Sequence, residues 1–335
     1  VDRARSGVML PSLPAILEVR QAVRGWLASH PGPVMVALSG GADSLALTSA
    51  VAAEATDVEA LVVDHGLQVG SAAVAATAAE HARSLGCARA RVLRVSVGSE
   101  GGIEAAARRA RYDALDAARS GAAVLVAHTL DDQAETVLLG LSRGSGPRSI
   151  AGMAPWDSPW GRPLLGVRRS VTRQVCAELG IVPFEDPHNT DPGFTRVRLR
   201  HEVLPLLEDV LGGGVAQALA RTAAQLREDA AVLDDDAAVL LADARVGDDL
   251  DVTVLTDAPP AIRRRTLRGW MSGLGARALS DKQLRLVDDL VGDWRGQGGV
   301  AVSGAPAGAR LVVARRHGRL AAELEWSLRS SRENP

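Results

Sequence analysis

Along the first two thirds of the chain, short continuous apolar runs alternate with longer amphipathic stretches. Val34 to Leu38 reads VMVAL and is closed by glycines. A run this short is no isolated helix and is expected as a strand buried on both faces of a parallel sheet. Val58–Val63, Ala90–Val97 and Ala122–Ala127 repeat the pattern, and helical composition fills 45–55, 72–85, 103–119 and the stretch after 130. At least four alternating β and α units predict an α/β fold with a doubly wound parallel sheet. Ahead of them, Ile16, Leu17, Val19, Val23, Trp26 and Leu27 mark an amphipathic helix that Pro31-Gly32-Pro33 stops near His30. Its expected place is over a face or an edge of the sheet.

The pattern changes at Gly212-Gly213-Gly214, the clearest boundary in the chain. Beyond it, Val215, Leu219, Thr222, Leu226, Ala230, Leu233, Ala237 and Leu240 step by three and four along one long helix. Arg263 to Arg268 opens a further helix and Asp281 to Asp293 forms another. Val300–Val302, Leu311–Ala314 and Arg319–Ala322 suggest a small antiparallel sheet. The expected organisation is an N-terminal helical extension over 1–32, a sheet domain over 33–211 and a smaller, mainly helical C-terminal domain over 212–335.

Composition narrows this picture more than it extends it. A chain of 335 residues has ample material for two cores. A net charge of −2 carries no overall nucleic-acid signature, so any such binding must rest on local basic patches. Aromatic content of 3% argues against a broad base-stacking platform. The two cysteines, Cys87 and Cys176, lie far apart, which excludes a cysteine metal site and fits a reducing cytoplasm. No run of 18 apolar residues occurs, so no membrane span is expected.

The chemistry begins where the first strand ends. Ser39-Gly40-Gly41-Ala42-Asp43-Ser44 leads from that strand into a helix. Such a turn offers unpaired backbone N–H groups and a positive dipole end, a site suited to phosphate. The spacing is neither G-x-x-x-x-G-K-[ST] nor G-x-G-x-x-G, and the only lysine, Lys282, stands far along the chain. Asp64-His65 ends the second strand, placed either to contact a nucleotide or to cap the next helix. After the fourth strand comes His128-Thr129-Leu130-Asp131-Asp132-Gln133-Ala134-Glu135-Thr136. Read as helix, His128 with Asp132, and Asp131 and Asp132 with Glu135, share faces. Three carboxylates so close suit a bound cation, or else a solvated helix N-terminus. Further on, Arg196, Arg198, Arg200 and His201 either line a groove for a phosphate backbone or form a solvated helix face. Arg264 and Arg265, within the later arginine cluster, carry the same two readings.

Ser39–Ser44 resembles the signature loop of the PP-loop ATP pyrophosphatases, which cleave ATP between the α and β phosphates. The order of further blocks narrows the resemblance over about residues 33–210 to the tRNA(Ile)-lysidine synthetase family. These blocks are DHGL at Asp64–Leu67, IEAAARRARY at Ile103–Tyr112, HTLDDQAET at His128–Thr136, RGSGP at Arg143–Pro147, RPLL at Arg162–Leu165 and EDPHN at Glu185–Asn189. Val197 and Gln68 depart from the asparagine and arginine usual at those positions. The resemblance implies a Rossmann-like PP-loop fold and ATP, with Mg²⁺, as the activating substrate. It further implies ligation of L-lysine to the wobble cytidine of isoleucine tRNA with a CAU anticodon, in the cytoplasm.

By that resemblance, Ser39, Gly40, Gly41, Ala42, Asp43, Ser44, Asp64 and His65 bind ATP, and Asp43 is also a catalytic residue and the Mg²⁺ ligand. His128, expected to titrate near neutral pH, is a candidate proton acceptor. Asp132 and Glu135 suit the lysine ammonium, and Arg111 and Arg108 its carboxylate. Arg196, Arg198, Arg200, His201, Arg264 and Arg265 are the candidate tRNA contacts. The alternative is another adenylating enzyme of the superfamily, a tRNA thiolase or a small-substrate amide synthetase. The lack of paired cysteines counts against thiolation.

Overall fold

The structure is a computed structural model that describes residues 10–68, 70–98, 102–144, 146–306 and 309–326. Its contacts group the chain into two compact units. One holds the described residues up to Ser142 together with Ile150–Ala223; the other holds Arg143–Ser149 together with those from Ala224 onward. The glycine run at 212–214 forms a turn before a helix, and the division falls inside that helix rather than at the turn.

In the first unit the elements are α1 (Pro14–Ser29), β1 (Val34–Ala37), α2 (Ala42–Glu54), β2 (Glu59–Asp64), α3 (Ser71–Ser84) and β3 (Arg89–Arg94). They continue with α4 (Ile103–Ala118), β4 (Ala123–Leu125), α5 (Leu130–Arg143), β5 (Trp156–Asp157), β6 (Trp160–Gly161) and α7 (Arg169–Glu178), while the short α6 (Pro147–Ile150) falls almost wholly in the other unit. A broken helical run follows: α8 (Thr195–Arg198), a π-helical turn at Leu199–Val203, α9 (Leu204–Val210) and α10 (Val215–Ala244).

The sheet order is β3-β2-β1-β4-β6-β5, parallel except for the β5–β6 hairpin. That hairpin, two residues to a strand, escapes periodicity because it is shorter than one alternation. Residues of β1 alternate between two cores, as a strand covered on both faces must. Val34 and Val36 join α1, α2 and α3, while Met35 and Ala37 pack with Leu61, Leu115 and Val124. β1 feeds β2 and β3 on one side, and β4 lies on the other. The crevice at the carboxyl ends of β1 and β4 is therefore the topological switch point, where open α/β sheets bind ligands.

The N-terminal helix belongs to this core. Val19, Val23 and Trp26 of α1 are buried, and the Trp26 indole N–H donates to the carbonyl of Pro155 at 3.1 Å. A Cβ on Gly161 would collide with the Trp26 ring and Leu125, so that strand position accepts only glycine.

The second unit carries β7 (Arg245–Val246), β8 (Asp249–Asp251), α11 (Val252–Thr256), α12 (Pro260–Gly273), α13 (Asp281–Gly292), β9 (Val300–Val302), β10 (Ala309–Arg316) and β11 (Arg319–Trp326). The last three occupy the positions expected for strands, extended at both later ones. β7 and β8 complete an antiparallel sheet ordered β7-β8-β11-β10-β9, which packs with α12 and α13 around Leu267, Met271, Val287 and Leu290. A Ser280–Gln283 capping box starts α13.

Candidate active site

Gly40 has φ +86°, which a side chain would strain, and its carbonyl accepts from Phe184 N at 2.9 Å. Gly41, at φ −75°, is the N-cap of α2. Ser44 closes the loop from within. Its hydroxyl donates to Gly41 O at 2.9 Å, accepts from Ser39 N at 3.2 Å and meets the Ser39 hydroxyl at 3.1 Å. Beneath the loop, the Cys176 thiol donates to Ala42 O at 3.6 Å. Burial pushes the thiols of Cys176 and Cys87 up to about 11, so neither is a thiolate at neutral pH.

Asp43 sits in the first turn of α2 and is gripped by α7. Thr172 Oγ1 donates to one carboxylate oxygen, and Arg169 Nε lies 3.4 Å from the other. Burial raises the Asp43 pKa and Asp132 adds to it, against the lowering effect of Thr172 and Arg169. The same Arg169 guanidinium reaches Asp132 at 2.5 Å and Glu135 at 3.3 Å, and its backbone N–H donates to Asp131 at 2.7 Å. The acidic cluster after β4 thus faces a cation, and that cation is the chain's own arginine.

Glu135 is fully buried and also takes Arg200, at 2.8 and 3.3 Å on its two oxygens, and Arg196 at 3.8 Å. Asp132 accepts from Thr129 N and Oγ1 at 2.8 and 2.7 Å. Burial alone would raise the Asp132 pKa, but Arg169 and Thr129 outweigh it and hold the carboxylate below its ordinary range.

His128 precedes α5 instead of lying on it, which corrects the helical-face reading for that residue: Thr129 and Asp132 close the helix start between them. Its pKa is also not near neutral. Burial, with Arg162, Arg108 and Arg196 nearby, lowers it to about 4, so the imidazole is uncharged at neutral pH. Its Nδ1 is buried with no protein partner. His65, beyond β2, shares that property, and its Nε2 accepts from Arg111 at 3.4 Å. Burial and Arg111 lower the His65 pKa, and burial lowers that of Arg111. Asp64 holds the β2–α3 loop by accepting from the Ser71 hydroxyl and from Gly66 N, the latter at 3.0 Å. Arg108 lies 4.8 Å over the Tyr112 ring.

The alternate arginines do not share a face, because they lie on a helix. Arg196 and Arg200, four apart, turn to Glu135, whereas Arg198 pairs with Glu202 at 2.8 Å. His201 is exposed. In the second unit Arg264 binds the buried Asp288 at 2.7 Å beside Arg263 at 2.6 Å, and Arg265 binds Asp234 at 2.6 Å. Arg148, next after the RGSGP block, binds that same Asp234 oxygen at 2.8 Å. Sequence reasoning missed Arg169 and Thr172. The available signal was a demand for charge, since three neighbouring carboxylates need a cation and Arg168-Arg169 opens a helix after RPLL.

A family model described as a PP-loop domain matches residues 17–207, and one described as the TilS substrate binding domain matches 250–321. A tRNA(Ile)-lysidine synthase of Rhodococcus opacus is 65% identical over 315 residues, spanning 93% of this chain and 97% of that protein. The chain belongs to the tRNA(Ile)-lysidine synthase family. The synthase of Nocardia farcinica is 66% identical over 306 residues, covering 90% and 96% of the two chains. That of Mycobacterium tuberculosis is 63% identical over 289, covering 85% and 89%. Among solved structures, the U34-tRNA thiolase NcsA from Methanococcus maripaludis superposes with a TM-score of 0.53 at 17% identity, over 64% of this chain and 80% of that one. The likeness shows a shared fold. As a lysidine synthase family member, the chain is a PP-loop ATP-dependent ligase that acts in tRNA modification. Among the described residues no single helix is long and apolar enough to cross a membrane.

Proposed function

We propose that the enzyme ligates L-lysine to C2 of the wobble cytidine in the CAU anticodon of isoleucine tRNA, converting its reading to AUA. ATP adenylates the base, pyrophosphate leaves, and the side-chain amine of lysine displaces AMP. The observation that carries this reading is the juxtaposition, at one switch point, of the Ser39–Ser44 loop with the carboxylates of α5.

Gly40, Gly41, Ala42 and Ser44 present backbone N–H donors, and Ser39 a hydroxyl, where charge builds on the departing pyrophosphate. Asp64 and His65, at the end of the neighbouring β2, face the nucleoside. Asp132 and Glu135 receive an ammonium of lysine, and Arg111 and Arg108 its carboxylate. His128, uncharged at neutral pH and with Nδ1 unpartnered, is the candidate acceptor for the proton that the attacking amine sheds, a weak base at a pKa of about 4. Among the described residues no cluster of three His, Cys, Asp or Glu side chains is arranged for a metal. One carboxylate with substrate phosphates is nevertheless a donor set that suits Mg²⁺, and Asp43 supplies that carboxylate. When bound, the ion would neutralise charge on the phosphates. Arg196, Arg198, Arg200 and His201, with Arg264 and Arg265 of the second unit, would meet the tRNA backbone.

The test is incubation with ATP, Mg²⁺, labelled lysine and unmodified isoleucine tRNA carrying CAU. Label is expected in the RNA with one AMP released per lysine incorporated. Its absence, with active controls, refutes the reading.

A further inference from the structure

We propose that Arg169 and Thr172 are positioning residues for ATP chemistry: the first turn of α7 fixes the Asp43 carboxylate and ties it to the carboxylates of α5. The proposal rests on the role given to Asp43 above and assigns work to two residues that the loop signature does not contain.

The geometry is a two-point grip. Arg169 and Thr172 lie three apart on α7 and so share a face. One takes each oxygen of Asp43, which removes the freedom of that carboxylate to rotate about its own bond. The single Thr172 proton is shared with Arg169 O at 2.8 Å, which seats the hydroxyl on the helix turn that carries the guanidinium. Thr172 is fully buried and Arg169 is largely so, with 16% of its side chain exposed. Arg169 is itself immobilised by Asp132 and Glu135, so the grip on Asp43 is referenced to α5 and not only to α7.

Loss of the guanidinium falls selectively on Asp43. Glu135 keeps Arg200 and Arg196, and Asp132 keeps Thr129 and Arg200. Asp43 would keep Thr172 alone. The donors of the phosphate loop are held by the Ser39–Ser44 hydrogen bonds, in which Arg169 takes no part. A misplaced Asp43 should therefore slow turnover far more than it weakens ATP binding, whose loop donors stay in place.

The experiment measures lysidine-forming turnover and thermal midpoints for Asp43→Asn, Arg169→Gln, Thr172→Val and Thr172→Ser in the full chain. Misplacing a reacting group by about an ångström costs on the order of 100-fold. Arg169→Gln is accordingly expected to lower kcat by about that factor with the KM for ATP changed less than about threefold. Thr172→Val, close in volume, is expected to lower kcat by about tenfold, and Thr172→Ser, which keeps the hydroxyl, to restore it. Full kcat in a folded Arg169→Gln protein overturns the proposal. If that variant fails to fold, undiminished kcat in Thr172→Val overturns it instead. Undiminished kcat in Asp43→Asn would refute the role of Asp43 itself, a result separable from the other two.

Discussion

Arg200 Nε lies 2.8 Å from Oε1 of Glu135, a carboxylate with no exposed surface. Arg169 contacts the same oxygen, and the other oxygen faces Arg200 and Arg196. Both oxygens of Glu135 are thus already held by guanidinium groups, while Asp132 keeps one oxygen on Thr129. On the proposed reading, lysine competes there with a resident cation. Of the two arginines on Oε1, Arg200 is the one placed to yield, because it sits in a π-helical turn and has 25% of its side chain exposed against 16% for Arg169. Removing a like charge about 4 Å from the ammonium is worth roughly 1–4 kcal/mol, so Arg200→Gln should tighten lysine binding about tenfold or more. Calorimetry without tRNA reads this directly. Arg200→Lys, which keeps the charge, should leave the affinity low, and Glu135→Gln should weaken it.

His128 gives a pH signature. The native state keeps the imidazole neutral down to about 4, whereas the unfolded chain protonates it near 6.5. Between those values the unfolded state binds the extra proton. Stability from this residue is therefore complete above 6.5 and declines as pH falls, with a slope of up to about 1.4 kcal/mol per pH unit. Urea unfolding of His128→Asn across that window should show a shallower decline than the unsubstituted protein.

The sheet was legible because a strand buried on both faces writes itself as an unbroken apolar run, and VMVAL does so. The loop was legible because hydroxyls, glycines and a carboxylate at fixed spacing have few other uses. The partners of the acidic cluster were not. Ion pairs across 34 to 68 residues leave no periodic trace, and alternating arginines look like a groove until a helix turns Arg196 and Arg200 one way and Arg198 another. A buried pair such as Arg263–Asp288 likewise reads in sequence as a surface cluster.

That pair carries a stability prediction. Asp288 is buried and accepts Arg263 at 2.6 Å and Arg264 at 2.7 Å. Asp288→Asn would leave the buried Arg263 guanidinium without its counter-charge, a change that costs about 3–5 kcal/mol where buried pairs are broken. Chemical unfolding monitored at Trp270, in the core of the same unit, should register that loss.

Gly161→Ala tests the packing under the sheet. The added Cβ would meet the Trp26 ring and Leu125, and the Trp26 ring is fixed by its bond to Pro155 and by stacking on His30 at 4.4 Å. Overpacking of this kind costs about 1–3 kcal/mol, and a lower midpoint in thermal unfolding is the expected outcome.

The cations gathered around Asp43, Asp132 and Glu135 are arginines without exception, and the chain's only lysine, Lys282, lies on α13 in the second unit. A guanidinium keeps its proton at any working pH, so it balances charge without offering a lone pair to an electrophile. On the proposed reading, these arginines can line a site that holds an activated base and form no adduct with it. None of these guanidinium groups competes with an amine that arrives from solution.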